Sequence, residues 1–251
     1  MPWHATEIER TKDAMRPYSP APLLETPELR ITVEGTRVRA TGAHSWIHDT
    51  RVLPTSAHLN DGSILVLTDS LDYHAWGHLG PALLLDAVSG ELVAELRGER
   101  GAVHEGGFLL GLEGYDYFDT WHYDGRGELL DGWRSYGHYL PGGIVVERDR
   151  NTRTSARIVR LLPGGEIRRG HRLKSGTTGE PVMLADGTIL VADGGRLIAV
   201  DGELRASEMA VILRKPAVID LRLDGDVLTA EATSRDGAHS TRVRYRLHRA
   251  R

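Results

Sequence analysis

The segment ADGTILVADGGRLIAVDGELR, Ala185 to Arg205, decides the fold. Two short apolar runs, Thr188 to Ala192 and Leu197 to Val200, are separated by Asp193-Gly194-Gly195 and bracketed by Asp186-Gly187 and Asp201-Gly202. Glycine supplies the positive φ of a tight hairpin, and Ile, Leu and Val fill a pleated surface. The segment therefore reads as an antiparallel meander.

Its turn signal returns along the chain. Asp61-Gly62 precedes SILVL, Gly106-Gly107 precedes FLLGL, Gly142-Gly143 precedes IVV, Asp186-Gly187 precedes TILVA and Asp224-Gly225 precedes DVLTA. The glycines closing these pairs are 45, 36, 44 and 38 residues apart, which brackets the roughly 40–50-residue period of propeller blades. A second run follows most markers and a third follows that. Runs such as ILVL and ALLL are continuously apolar, as strands covered on both faces must be. The spacing predicts an all-β fold, a five-bladed β-propeller of four-stranded antiparallel sheets, with six blades as the alternative. The interval from Gly35 to Gly62, only 27 residues, argues against a sixth blade.

The runs PALLLDAVSGELVAEL and DGTILVADGGRLIAVDGEL resemble the repeat of quinoprotein-like (PQQ-like) and related WD40-like propellers, in which an apolar strand, an Asp-x-x-x-Gly-Glu turn and a second strand alternate. The resemblance covers residues 59–250 and implies the fold. PQQ binding is not implied, because the recurring tryptophan motif, the vicinal cysteines and the full blade number of PQQ dehydrogenases are missing, as is the Trp-Asp dipeptide of WD40 repeats. No cofactor is expected.

At the N-terminus, residues 1–28 read as a short helix, Ala5 to Met15, capped by Thr6 and stopped by Pro17, followed by a linker containing Pro17, Pro20, Pro22 and Pro27. The propeller domain then spans residues 29–251. Its last repeat stops after its second run, so a free strand, Leu29 to Val33 or Thr36 to Ala40, is expected to complete it and hide its edge.

The 251 residues contain no cysteine, which excludes disulfides and thiolate chemistry and fits a reducing compartment. The N-terminus has no apolar signal region, and no run approaches the roughly 18 apolar residues that span a bilayer. The expectation is a cytoplasmic protein of bacterial type without a membrane partner. The net charge of −4 divides into −10 over residues 1–140 and +6 over residues 141–251. Arg148 to Lys174 holds nine basic side chains, but no aromatic residue lies between Tyr139 and Tyr245, so the interleaved stacking platform of a nucleic-acid site is missing and no nucleic-acid partner is expected.

The composition is most unusual between Tyr73 and Tyr139, which holds 11 of the 15 aromatic residues and five of the 12 histidines. The connection after SILVLTD carries Tyr73, His74, Trp76 and His78; the equivalent connection in the next repeat carries Tyr115, Asp116, Tyr117, Asp119 and Trp121; Tyr136 and His138 follow at a repeat boundary. Rings with a polar tip give large contact area at low entropic cost and recur in binding hot spots. Tyr73, His74, Trp76, His78, Tyr115, Tyr117, Trp121, Tyr136 and His138 are therefore the expected binding residues, whereas Phe108, Tyr123 and Trp133 read as packing between sheets. His74 and His78 sit in a hairpin loop, not at the helical spacing that makes a metal pair, so no metal site is expected. Asp116, Asp119 and His74 are the weak candidates for acid-base work, while Asp61, Asp186 and Asp224 fall where hairpin turns require Asp-Gly.

These readings lead to a non-enzymatic binding protein that recognises a protein partner through an aromatic loop face, an antitoxin-like immunity protein being the narrower version. The alternative is a small-molecule or sugar-active enzyme, or a lectin, using the same aromatic residues.

Overall fold

The computed structural model describes residues 3–14, 22–69, 82–113, 118–148, 156–174, 179–213, 218–233 and 239–249. They form six four-stranded antiparallel sheets. After an N-terminal strand β1 (Trp3–Ala14), the first sheet is β2 (Leu24–Glu25), β3 (Leu29–Glu34), β4 (Arg37–Gly42) and β5 (Trp46–Asp49), in sequence order. The second is β6 (Pro54–Asn60), β7 (Ser63–Thr68), β8 (Ala82–Asp86) and β9 (Leu92–Leu96). The third is β10 (Arg100–His104), β11 (Gly107–Glu113), β12 (Phe118–Asp124) and β13 (Leu129–Trp133). Then come β14 (Gly137–Leu140), β15 (Ile144–Arg148), β16 (Ala156–Leu162) and β17 (Glu166–Leu173), followed by β18 (Val182–Met183), β19 (Ile189–Asp193), β20 (Arg196–Val200) and β21 (Ala206–Val211). The last sheet has the order β1-β24-β23-β22, with β22 (Ile219–Asp224), β23 (Val227–Thr233) and β24 (His239–Arg249). Among the described residues no helix is long and apolar enough to cross a membrane.

The meander at 185–205 folds as its turns dictate. Gly194 and Gly195 both take positive φ, 57° and 88°, as a two-residue hairpin demands, and they set the register Asp193↔Arg196 through Ile189↔Val200. The Asp that opens the next turn also has a physical role. Asp201 Oδ1 accepts the backbone N–H groups of Glu203 and Arg205. Asp86 does the same for Val88 and Ser89, and Asp124 for Arg126 and Glu128. The recurring Asp of the repeat is thus a side-chain clamp on the turn between third and fourth strands.

Six sheets stand where the turn markers predict five, which moves the blade count towards the alternative of six. The error has a definite origin. The five markers join first to second strands, whereas Glu34-Gly35 joins β3 to β4, the second and third. The equivalent turn of the first sheet is at residues 26–28, and from Glu28 to Gly62 is 34 residues, close to the other intervals.

The completing strand also differs from expectation. Residues 5–15 read as a helix, yet Trp3–Ala14 form a strand that pairs with β24 from Trp3↔Arg249 to Ala14↔His239. A single short helix is marginal in water, while the open edge of β24 offers a full ladder of backbone partners, so tertiary pairing overrides local preference. Leu29 to Val33 and Thr36 to Ala40, expected in that role, lie instead in β3 and β4. The proline-rich segment falls largely outside the described residues.

By internal packing the chain divides into two compact units, one of residues 19–143 and 161–167, the other of residues 1–18, 144–160 and 168–251. In the first, Ile64 and Val66 of β7 pack with Ile31 and Val38, while Leu65 and Leu67, from the opposite face of the same strand, pack with Phe108 and Leu110. Burial on both faces explains the unbroken apolar run, and each such side chain contributes about 1.5–3 kcal/mol. In the second unit Leu190 and Leu197 meet Leu221, Leu228 and Tyr245 in the same way.

Candidate binding site on the third sheet

The third sheet has two unlike faces. Phe108 and Leu110 point into the apolar cluster just described, with Tyr123 against it, as expected for packing residues. The register Arg100↔Gly111↔Thr120↔Trp133 and Ala102↔Leu109↔His122 puts Arg100, His104, Thr120 and His122 on the other face. Trp133 is buried there, its indole N–H donating to the Leu162 carbonyl at 2.6 Å.

Gly111 interrupts the apolar run of β11, and the gap is filled by two tyrosines. A Cβ at Gly111 would lie 1.7 Å from the Tyr139 hydroxyl and 2.9 Å from Cδ2 of Tyr136. Thr120 Oγ1 donates to the Ser135 carbonyl at 2.5 Å, so the Tyr139 hydroxyl, 2.8 Å from the same oxygen, is the donor to it. Tyr136 is buried, its ring edge-on to Phe118 at 6.2 Å, and its hydroxyl donates to Glu99 Oε1 at 2.7 Å. Glu99 Oε1 also accepts the Glu113 N–H at 3.1 Å. The Arg100 guanidinium lies 5.9 Å from the Tyr136 ring centre, and its Nη1 is 3.1 Å from Nδ1 of His138.

Burial pushes the Tyr136 phenol far above its ordinary range, and the Glu99 charge adds to the shift. Burial does the same to Tyr139. Both phenols keep their protons at neutral pH and act as donors, not bases. The arrangement joins the Tyr136 phenol to two charged groups, Glu99 and Arg100, and Arg100 in turn donates to Nδ1 of the His138 imidazole.

Tyr136 and His138 are thus brought together through Arg100. Trp121 and Asp119 lie on the opposite face of the sheet, in register with Leu110 and Leu112; Trp121 stacks beneath the Arg97 guanidinium at 5.2 Å, and Asp119 stands 3.9 Å from Arg134. Tyr73, His74, Trp76, His78, Tyr115, Asp116 and Tyr117 lie outside the described residues. Asp61, with φ 43°, sits in a hairpin turn, and Asp186 accepts Thr188 N–H and Trp3 Nε1–H, as turn residues do. Among the described residues no group of three or more His, Asp or Glu side chains is placed to hold a metal ion. Sequence reading missed Glu99, Arg100 and Thr120; a glycine in the middle of a buried strand, Gly111, was the available sign of a close approach.

The sequence matches no protein-family model and no curated protein. The structure is similar to BBS1N, solved in complex with ARL6DN, with a TM-score of 0.55 and 13% identity over 88% of this chain and 76% of that one. It is also similar to the β-propeller domain of Myceliophteria thermophila Cps50 (Swd1), with a TM-score of 0.53 and 11% identity over 86% and 79% of the two chains. The fold is a β-propeller.

Proposed function

We propose that this chain is a non-enzymatic module that binds a protein partner. The contact face is formed by Tyr73, His74, Trp76, His78, Tyr115 and Tyr117, which follow β7 and β11 in sequence, together with Tyr136 and His138. The observation that supports this reading is the Glu99–Tyr136–Arg100–His138 cluster, whose buried phenol and hydrogen bonds hold the charged groups Glu99 and Arg100 in place at low entropic cost. BBS1N, of the same fold, is in complex with another protein. An antitoxin-like immunity protein is the narrower form of the proposal. A small-molecule or sugar-active enzyme or lectin using the same aromatic residues is the second reading, supported by the charged groups Glu99 and Arg100 around Tyr136.

The test is affinity capture from native lysate with the wild type beside a Tyr73→Ala, Trp76→Ala, Tyr117→Ala variant whose thermal melt matches it. A stoichiometric protein held by the wild type and lost by the variant supports the proposal. Equal capture by both baits, or none by either, contradicts it.

A further inference from the structure

Four strands at sheet edges share a defect in the same place. In β9 the ladder to β8 jumps from Leu85↔Leu92 to Leu84↔Ala94, leaving Val93 as a bulge. In β13 the pairs Tyr123↔Leu129 and His122↔Asp131 leave out Leu130. In β21 Met209 is skipped, and in β1 Ile8 is skipped. Each of these four residues is apolar, whereas the residue skipped at the start of β6 is Thr55.

The surroundings differ. Beside Ile8, Glu7 is paired with Arg10 at 2.7 Å and Glu9 with Arg244 at 2.9 Å; beside Met209, Glu208 is paired with Arg196 at 2.6 Å. On and beside β9 and β13 the carboxylates Glu91, Glu95 and Glu128 are exposed and form no ion pair among the described residues, while Asp131, next to Leu130, accepts the N–H groups of Gly132 and Gly164. Around them Val88, Leu92, Val93, Leu129 and Leu130 are each between 44 and 59% exposed. The two groups are neighbours, since a Cβ on Gly127, in the turn leading into β13, would stand 2.7 Å from Cβ of Ala94 on β9. The result is a strip of apolar side chains flanked by carboxylates that form no ion pair, with Arg126 the cation of the same turn and Arg97, after β9, engaged on the Trp121 ring.

We infer that this edge of the second and third sheets is a docking surface for a basic amphipathic helix of another protein. The apolar side chains need cover and the carboxylates need cations, so the occupant carries both on one face. A helix fits and a strand does not, because the bulges at Val93 and Leu130 break the regular ladder that strand addition requires. This surface is distinct from the aromatic face proposed above and stands without it.

The probe is an 18-residue helical peptide of leucine and lysine, titrated into the full chain and read by fluorescence anisotropy, with a leucine–glutamate peptide as its counterpart. The expected result is salt-sensitive binding of the lysine peptide alone. Val93→Ser with Leu130→Ser weakens it about tenfold or more, as the loss of two buried apolar contacts implies. Glu95→Gln with Glu128→Gln weakens it and flattens its salt dependence. Ile8→Ser leaves it unchanged. All positions are exposed, and matching melts verify folding. Equal binding of both peptides, no loss in the Val93/Leu130 variant, or an equal loss in Ile8→Ser overturns the inference. So does a concentration-dependent dimer in sedimentation that the Val93/Leu130 variant abolishes, because a second copy would then be the occupant.

Discussion

The hydroxyl of Tyr139 occupies the space that a side chain on Gly111 would fill, 1.7 Å from where its Cβ would stand. The glycine of one strand and the phenol of another are therefore a matched pair, and a side chain at 111 has no room while the hydroxyl is in place.

Gly111→Ala is expected to destabilise the protein by about 1–3 kcal/mol, the usual cost of overpacking a filled interior. Tyr139→Phe loses only its hydrogen bond to Thr120, about 1 kcal/mol. With the hydroxyl gone the added methyl has more room, so the double variant is less destabilised than the sum of the two. Urea unfolding of all three variants measures the coupling; strict additivity contradicts the pairing.

A second glycine makes the same point on an edge strand. A Cβ on Gly170 of β17 would lie 2.2 Å from Cβ of Leu204, whereas on Gly132 of β13 the nearest atom, Cδ1 of Trp121, is at 3.4 Å. Gly170→Ala is expected to lower stability by about 1–3 kcal/mol and Gly132→Ala to change it little. Thermal melts of the two variants compare them directly.

Removal of residues 1–14 uncovers the whole edge of β24, and with it the backbone groups now paired with β1. It also removes the Trp3 indole donor to Asp186 and the Arg10 contact with the Ile212 carbonyl. The truncated chain is expected to melt lower and to associate as its concentration rises, since an open edge recruits another strand. Size-exclusion chromatography over a dilution series reads this out; an unchanged monomer with an unchanged melt contradicts it.

Stability is expected to depend on pH in two separate windows. Burial lowers the His58 pKa, and burial, with the nearby His122 next, lowers that of His104. The unfolded chain takes up these protons first, so this contribution is complete above the ordinary histidine value of about 6.5 and is lost as pH falls through it towards the folded values. Asp86, Asp124 and Asp201 are held below the ordinary carboxylate value, chiefly by the backbone N–H groups they accept. Their contribution is present above about pH 4 and is lost below it. Denaturant melts from pH 8 to pH 3 should show both steps, and His58→Asn with His104→Asn should flatten the upper one.

How much of this the chain discloses in advance depends on the range of the interaction. The Gly194-Gly195 hairpin and the Asp86 and Asp201 turns are local, so their residues alone specify them. The role of Trp3–Ala14 is set by the open edge of β24, more than 220 residues away in sequence, and local helix preference points the wrong way. Glu34-Gly35 is a correct turn assigned to the wrong pair of strands, because one Glu-Gly looks the same in either place. At the site, Tyr136 and His138 stand out as an aromatic and a histidine in an unusual stretch. The Glu99 carboxylate and the Thr120 hydroxyl gain their roles only from the register of β10 to β13 and carry no mark of their own.

Hydrogen–deuterium exchange of the chain, alone and with its captured partner, tests the binding proposal most directly. Protection is expected in peptides covering residues 70–81 and 114–117 and the start of β14, with the outer strands β17 and β21 unchanged. Protection confined to those outer strands, or absent from both aromatic connections, would contradict it.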